Sequence, residues 1–464
     1  MTGPSGRTTE VGRPVTQTSV DAADERGRDE TSGAVAAPAA SLRAVRRTVL
    51  GGVVGSVVEF YEFAIYAVLA PVLAVVFFPA ADPTTGLLST LAVYGLAFFA
   101  RPLGGLVWGS LGDRIGRKRT LGLTLILMSV ATLLIGVLPS YAVVGLAAPA
   151  LLILLRFLQG FSAGGEISGA VSFIAEHSPR ERRGFYVGMI TVGAGLGTLL
   201  GTVVPASLVL TLDDAAMQDW GWRVPFLLAL PLGLVAIYIR TRLDETPYFL
   251  ALAATRSRAE KPLLAAVRGR SQWGLLGRAF VITSLNAASF YLLAGYLPSF
   301  ATTTLGLTGV QVYVPVTVAV ATALVFEVVA ARWSDRVGRR TVLLTAGVGI
   351  LVAAVPSFLM ITSGSTSTAL AGLVLLGSTT GAYAAVTNSA LIEMFATHVR
   401  VSGHGITYNL SVAVFGGSAP FLLSWLGGLT GSDLVGAGYL IALAVLALPA
   451  VYTMTESAGR ALKD

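Results

Sequence analysis

Long apolar runs punctuated by turn residues constrain this chain more than any other feature. A helix needs about twenty apolar residues to cross the hydrocarbon of a bilayer. Segments that qualify begin near Thr48, Gly86, Thr120, Ala148, Phe185, Val224, Ala279, Val312, Thr341, Leu370, Gly405 and Leu434, which gives about twelve spans. Phe77-Phe78-Pro79 with Ala81-Asp82-Pro83, Leu138-Pro139-Ser140, Ser363-Gly364-Ser365 and Gly431-Ser432-Asp433 interrupt the runs with turn chemistry. An even count puts both termini on one side. Of 464 residues only 12% are charged and 54% are hydrophobic, too few charges to cover a soluble protein of this size. The expected class is therefore an all-α membrane protein whose outer surface is covered by a lipid bilayer.

Basic residues then orient the spans, because Lys and Arg in short loops are retained in the cytoplasm. Arg43, Arg46 and Arg47 precede the first span, Arg114, Arg117, Lys118 and Arg119 follow the second, and Arg180, Arg182 and Arg183 follow the fourth. Arg240, Arg242, Arg256, Arg258, Lys261, Arg268 and Arg270 fill a central loop, and Arg332, Arg336, Arg339 and Arg340 follow the eighth span. The intervening loops hold Asp82, Asp213, Asp214, Asp219 and Asp433, with Arg223 the one basic residue near them. Both termini are expected to be cytoplasmic, in the plasma membrane. The net charge of +7 is thus explained without nucleic acid. With no cysteine, disulfides, thiolate metal sites and cysteine nucleophiles are excluded. Residues 1–42 hold few large apolar side chains and are expected to be a disordered cytoplasmic tail. The chain does not open on a short apolar segment with a cleavage site, so the first span is expected to act as the insertion signal.

A loop pattern occurs twice. Gly109-x-x-x-Asp113-Arg114-x-Gly116-Arg117-Lys118-Arg119 returns as Ala331-x-x-x-Asp335-Arg336-x-Gly338-Arg339-Arg340, each after the second span of its half. Glu176 and Arg183 after the fourth span likewise have counterparts in Glu393 and Arg400 after the tenth. The expected organisation is a six-helix half over 43–245, a central cytoplasmic loop over 246–275, a second six-helix half over 276–455 and a short tail over 456–464. A duplicated bundle with a midplane site between its halves is the architecture of transporters that work by alternating access. An Asp at a helix end followed by Arg and Gly allows a tight turn, ion pairing and contact with exposed helix termini. Such loops are expected to latch the cytoplasmic ends of the halves when the protein faces outward. The plainer reading is that these arginines only mark the cytoplasmic side.

At these residues the chain resembles the major facilitator superfamily, whose loop signature reads G-x-x-x-D-R-x-G-R-R, and the likeness extends over residues 48–455. More narrowly it resembles the metabolite:proton symporter family. Gly55-x-x-x-Glu59-Phe60-Tyr61-Glu62-Phe63-x-x-Tyr66 is similar to that family's first span, and Arg156-x-x-Gln159-Gly160-x-x-x-Gly164-Gly165-Glu166 to its fourth. Trp220-Gly221-Trp222-Arg223-Val224-Pro225-Phe226, Glu245-Thr246-Pro247-x-Phe249 and Tyr408-Asn409 with Gly416-Gly417-x-x-Pro420 match further blocks. Phe60 stands for the usual Trp, Glu62 for the usual Asp and Ala396 for the common Pro. The resemblance implies proton-coupled uptake of a small organic acid or zwitterion by a monomer, with no cofactor and no metal. Alternatives are a proton-antiport exporter of drugs or metabolites, a sugar porter, or a sensor that has lost transport. The fifth span lacks the Gly-Pro pair of export-type relatives, which favours import. Relatives that sense osmotic stress carry a long helical C-terminal extension, and its lack here points to a carboxylate ahead of betaine or proline. No catalytic grouping supports an enzyme.

An ionisable side chain at the bilayer centre costs about 2.5–3.5 kcal/mol or more, so such residues face the bundle interior and usually serve function. Gly55, Glu59, Glu62 and Tyr66 share one stripe of the first helix. Glu62, with Glu59 second, is the expected proton carrier, and Arg156, at similar depth, its expected partner across a central cavity. A neutral Glu62 would free Arg156 for a substrate carboxylate; the plainer reading is a permanent structural ion pair. Tyr66, Gln159, Glu166, Asn286, Tyr291 and Asn409 are further candidates for substrate contact, with Glu166 equally a packing residue. Arg101 is read as a structural or gating partner of a neighbouring acid. Glu327 is expected to reach the interface, Tyr296 to anchor there, and His177, His398 and His404 to be solvated or capping. Gly193-x-x-x-Gly197-x-x-x-Gly201 on the fifth span permits close helix approach.

Overall fold

Helices satisfy their own backbone hydrogen bonds, so a chain this apolar can fold as a bundle of them without strands. In a computed structural model, the residues described are 1–3, 42–80, 82–115, 117–241, 270–396 and 399–462, and every regular element among them is helical. Eleven helices are long and apolar enough to cross a membrane, and a bent pair makes a twelfth. In chain order they are α1 (Val49–Val68), α2 (Pro83–Trp108), α3 (Arg119–Gly136), α4 (Ala147–His177), α5 (Arg180–Thr211) and α6 (Asp214–Gly221 with Arg223–Ile239, bent by 41°). Then follow α7 (Gln272–Thr303), α8 (Val310–Val337), α9 (Arg339–Ile361), α10 (Thr366–Met394), α11 (Arg400–Thr430) and α12 (Val435–Tyr452). Nearly all of the tail expected over 1–42 and of the central loop expected over 246–275, with Gly116 and His398, lie outside the described residues, as do the side chains of Asp113, Arg114 and Arg117.

Packing repeats after six helices. In the first set α1 lies on α5, α2 on α4 and α3 on α6; in the second α7 lies on α11, α8 on α10 and α9 on α12. The two sets meet where α5 packs on α8 and α10, and α11 on α2 and α4. Small residues set these distances. A β-carbon at Gly193 would come within 2.7 Å of the Val53 carbonyl oxygen, and one at Gly201 within 2.6 Å of Ala64, so α5 lies directly on the backbone of α1. Gly160 and Gly164 of α4 press on the carbonyls of Ala97 and Arg101 in α2, and Gly377 and Gly381 of α10 on those of Ala319 and Ala323 in α8. The outward faces expose Phe99, Leu103, Leu134, Leu154, Val352 and Leu446, an apolar belt that suits lipid and not water.

Besides α6, whose bend follows a π-helical turn at Met217–Gly221, three helices are interrupted. α4 breaks at Gly164–Gly165, between Ala147–Ala163 and Glu166–His177. α7 and α11 each contain a π-helical turn, Leu292–Tyr296 and Val412–Gly417. Such turns are frequent at functional sites because they rotate the following side chains and free backbone groups. Here they occupy equivalent neighbours, the two helices of the second set that face α1 and α2.

Candidate functional site

The polar centre of the bundle is built by α1 to α4. Spacings of three and four residues on α1 bring Glu59, Glu62, Phe63 and Tyr66 to the interior, where all four are buried. Because α2 and α4 touch backbone to backbone, Arg101 and Arg156 are also wholly enclosed. Arg101 ion-pairs with Glu59, both side chains fully buried, which names the acid expected for it. Its guanidinium carbon lies 5.3 Å from the ring centre of Phe63 and 5.6 Å from that of Phe98.

Glu62 and Arg156 do not meet directly, contrary to expectation. Glu62 turns to α3, where Thr132 and Ser129 hydroxyls donate to its two oxygens, Ser129 at 3.2 Å. Arg156 Nη1 donates to Gln159 Oε1 at 2.9 Å, and Gln159 Nε2 to Thr132 Oγ1 at 2.5 Å. The pair is thus joined through Gln159 and Thr132, because α3 inserts two hydroxyls where a direct ion pair would form. Arg156 lies over the Tyr66 ring, 4.2 Å from its centre, with Phe63 and Tyr94 at 5.2 and 5.3 Å. Tyr66 itself donates to the Thr90 carbonyl at 3.2 Å, which fixes the ring beneath the guanidinium. Nε and Nη2 of Arg156, and Nε and Nη1 of Arg101, have no hydrogen-bond partner among the described residues.

Two small cavities lie between the helix sets, and they share Phe60, Phe290 and Tyr291. The larger, about 30 Å³, has room for a couple of water molecules and also touches Thr191, Asn286, Asn388 and Tyr408. The smaller is lined by Phe63 and Tyr94, so these rings separate it from Arg156. Tyr291 stands edge-on to Phe98 at 4.9 Å. Its hydroxyl and Asn286 Oδ1 are buried without a hydrogen-bond partner among the described residues. Neither Glu62 nor Arg156 lines either cavity; both lie behind its wall.

Of the other candidates, Asn409, His404, Tyr296 and Glu327 are placed differently from their expectation. Asn409 does not face the cavity but donates to the Gly164 carbonyl at 2.8 Å, bridging α11 to the break in α4. Glu166 is buried at the start of the segment after that break. His404, expected as a solvated or capping residue, is wholly buried: Nδ1 meets Ser168 Oγ at 3.0 Å, and Nε2 meets Asn388 Oδ1 at 3.2 Å. Asn388 continues to Thr191 Oγ1 at 3.3 Å, so this chain crosses between the sets twice. Tyr296 is buried and stacked on Phe300, and so is no anchor. Glu327 does not reach the interface; it lies ten residues before Val337, about 15 Å along the helix, and is fully buried. His177 contacts the Phe173 carbonyl one turn back at 2.9 Å.

At the end where α4 leads to α5 and α8 to α9, charged groups join the two sets reciprocally. Asp335 oxygens accept from the backbone N–H groups of Gly184 and Phe185, both at 2.8 Å, at the start of the helix Arg183–Thr211. Arg183 reaches Glu393 at 3.5 Å, and Arg400 reaches Glu176 at 3.1 Å, so each motif arginine pairs with the other motif's acid. Arg339 ties Asp335, at 2.8 Å, to Glu393, at 3.3 Å, while Arg336 is exposed. Gly338 has φ of +102°, a conformation other residues adopt at a cost. Glu456 then accepts from the N–H groups of Arg339 and Arg340 at 2.9 and 3.0 Å. Partial burial pushes the Glu456 carboxyl up, but the N–H groups of Ala458, Arg339, Arg340 and Ser457 outweigh this and hold it below the usual range.

Reading the sequence missed the aromatic wall of Phe63, Tyr94, Phe98 and Phe290, the hydroxyls Ser129 and Thr132, and the cap Glu456. Ser129 and Thr132 had a signal, since two polar residues three apart in an apolar span share a face.

The chain matches the Major Facilitator Superfamily over residues 52–420 and again over 279–462. It is 38% identical over 435 residues to the ectoine/proline transporter ProP of Corynebacterium glutamicum, covering 90% of this chain and 85% of that one. The proline/betaine transporter of Escherichia coli K12 is 35% identical over 429 residues, with the same coverage. Among solved structures, the proton:xylose symporter XylE bound to 6-bromo-6-deoxy-D-glucose superimposes with a TM-score of 0.75 at 17% identity, over 90% of this chain and 98% of that one, a likeness of fold. With its twelve-helix bundle and these relatives, the chain is a multi-pass membrane transporter and not an enzyme, and it belongs to the major facilitator superfamily.

Proposed function

We propose that this protein takes up a small zwitterion, of the proline, betaine or ectoine kind that its relatives are named for, together with a proton. The observation that carries the reading is the charge balance of the buried centre. Glu59 neutralises Arg101, whereas Arg156 has no carboxylate partner among the described residues and two N–H-bearing nitrogens to spare. Once Glu62 carries its proton the centre holds one uncompensated guanidinium, which matches one substrate carboxylate. The aromatic faces of Phe60, Phe63, Tyr94, Phe290 and Tyr291 suit the cationic end, because a ring face attracts an ammonium group by about 0.5–2 kcal/mol. This favours a zwitterion over the carboxylate preferred from sequence, since a dicarboxylate would need a second free cation. A cavity of about 30 Å³ is too small for either, so the wall of rings must part on loading.

Glu62 supplies the proton step through Thr132. A hydroxyl has one proton to donate. When Glu62 is ionised, Thr132 gives that proton to the carboxylate; when Glu62 is protonated, the acid donates to Thr132, which turns its own proton to the Met128 carbonyl 2.9 Å away. Gln159 donates to the same oxygen and holds Arg156, so the switch at Thr132 is felt at the guanidinium. The Arg183/Asp335 end faces the cytoplasm by the positive-inside rule, and its ion pairs close that side.

Uptake into proteoliposomes tests the reading. Labelled glycine betaine or proline should accumulate when the outside is acidic, and a protonophore should abolish the accumulation. Accumulation of dicarboxylates in preference to zwitterions, or indifference to the proton gradient, would refute it.

A further inference from the structure

Glu327 is a buried carboxyl that the reading above leaves unused. It sits mid-way along α8, on the seam where α8 packs against α5 of the other helix set. It is 1% exposed, and a β-carbon added to Gly195 of α5 would come within 2.6 Å of its Oε2. That oxygen has no hydrogen-bond partner among the described residues.

The charged and titratable groups on the helices packed around it are engaged or exposed elsewhere. On α5, Arg180, Glu181 and Arg182 are exposed at the bundle end, Arg183 is held there by Glu393, and Tyr186 stands edge-on to Phe185. On α10, Tyr383 donates to the Ile282 carbonyl and Glu393 accepts from Arg183 and Arg339. On α8 itself, Asp335 is taken by Arg339 and by the N–H groups of α5, Arg332 lies over the Phe185 ring, Arg336 is exposed, and Tyr313 packs in the apolar cluster near Val68. On α9, Arg339 and Arg340 sit at the start of the helix, next to Glu456. Tyr296, in the π turn of α7, stacks on Phe300. No charged side chain among the described residues acts on Glu327.

Comparison of the two seams shows what is unusual. The repeated loop motifs are 222 residues apart (Asp335 against Asp113), and the same offset sets Glu327 on Gly105 of α2. At the equivalent seam Asn409 of α11 lies against Gly105, and its amide is satisfied by the Gly164 carbonyl across the boundary. Each seam therefore has a polar side chain packed on a glycine of the opposite helix. One is a neutral amide with its bond made, the other a carboxyl whose Oε2 has none among the described residues. A carboxylate enclosed among apolar groups with no partner is strongly disfavoured, so the closed seam accommodates the neutral acid. Parting α5 from α8 would wet the side chain and let it ionise.

We propose that Glu327 is a second proton-binding site, which holds a proton while α5 and α8 are packed and releases it when the seam opens. This rests on the alternating-access reading above, and its effect is to make opening depend on pH by up to one proton, at most about tenfold per pH unit.

The test uses the full chain in nanodiscs. Because it has no cysteine, spin labels can be placed at Glu181→Cys and Val337→Cys, across the charged end, and their distance distribution followed from pH 5 to 9. The open population should rise with pH in the parent, and Glu327→Gln should reduce that dependence by a factor approaching ten per pH unit. Glu327→Leu, neutral and of similar size, should do the same, which covers the case in which the Gln variant fails to fold. A pH dependence in both variants equal to the parent's would overturn the proposal. Proton-driven uptake by the parent is measured alongside. If that is missing while opening still depends on Glu327, the symport reading falls and the seam proton stands.

Discussion

Replacing Asp335 with Asn should open the cytoplasmic end more than any other single change there. Asp335 accepts two hydrogen bonds across the seam, from the N–H groups of Gly184 and Phe185 at 2.8 Å each. Its third partner, Arg339, belongs to the same helix set and stays with it when the sets part. A hydrogen bond to a charged group contributes about 1.5–3 kcal/mol. Asn keeps one acceptor oxygen, so one of the two bonds is lost and the other loses its charge assistance; with the freed N–H rehydrated on opening the low end applies, about 1.5–2 kcal/mol, or more than tenfold in the closed-to-open ratio. The other links are weaker. Glu393 makes one cross-set contact, at 3.5 Å, and Arg183 keeps the Ala175 and Arg460 carbonyls if it is lost. Glu176 is 28% exposed, so its pair with Arg400 is partly screened and contributes less than about 1 kcal/mol. A cysteine at Thr191, on the cavity wall, reports opening through its labelling rate with a soluble maleimide. The order of acceleration should be Asp335→Asn, then Glu393→Gln, then Glu176→Gln. A rate for Asp335→Asn within twofold of the parent, or a reversed order, would refute the assignment of the latch to that carboxylate.

Thr132→Val should uncouple proton from substrate: loss of a hydroxyl serving Glu62 and Gln159 should cut pH-driven accumulation by about tenfold or more while counterflow exchange persists. Glu62→Gln should abolish uphill uptake and leave exchange, and full accumulation by that variant would defeat its role as proton carrier. Arg156→Lys keeps the charge but loses the planar stack on Tyr66, so zwitterion binding measured calorimetrically should weaken by about tenfold or more; unchanged affinity would remove Arg156 from the site. Glu456→Ala should lower thermal stability at pH 7 by about 1 kcal/mol, the value of a helix cap. The folded protein holds this carboxyl below its usual value of 4.5, so the parent's advantage is present above that pH and fades as pH falls through the folded value. Melting curves at pH 7 and pH 4 check the sign.

Span number and the twofold repeat were legible because both follow from local pattern: apolar length, turn residues, and a loop motif spelled twice. Depth along a helix was legible for Glu59, Glu62 and Arg156, which all lie in the interior. Which neighbour each side chain turns to was not, since that depends on how close two helices come. Gly160 and Gly164 bring α4 onto α2, and Ser129 and Thr132 on α3 capture Glu62 before Arg156 can. His404 and Glu327 were misjudged for a related reason. Each was assigned from its distance to a span end, whereas the opposing helix set buries them, and residues far away in the chain make that contact.

The short segment after α12 is fastened to the duplicated loop by Glu456, and Ser457 donates to Glu393 at 2.6 Å. Cutting the chain at Thr455 to shorten it, or splicing a fluorescent reporter there, would strip α9 of its cap and take a donor from the acid that receives Arg183. Reporters intended to leave gating untouched belong beyond Arg460, whose carbonyl is the last group seen to touch Arg183.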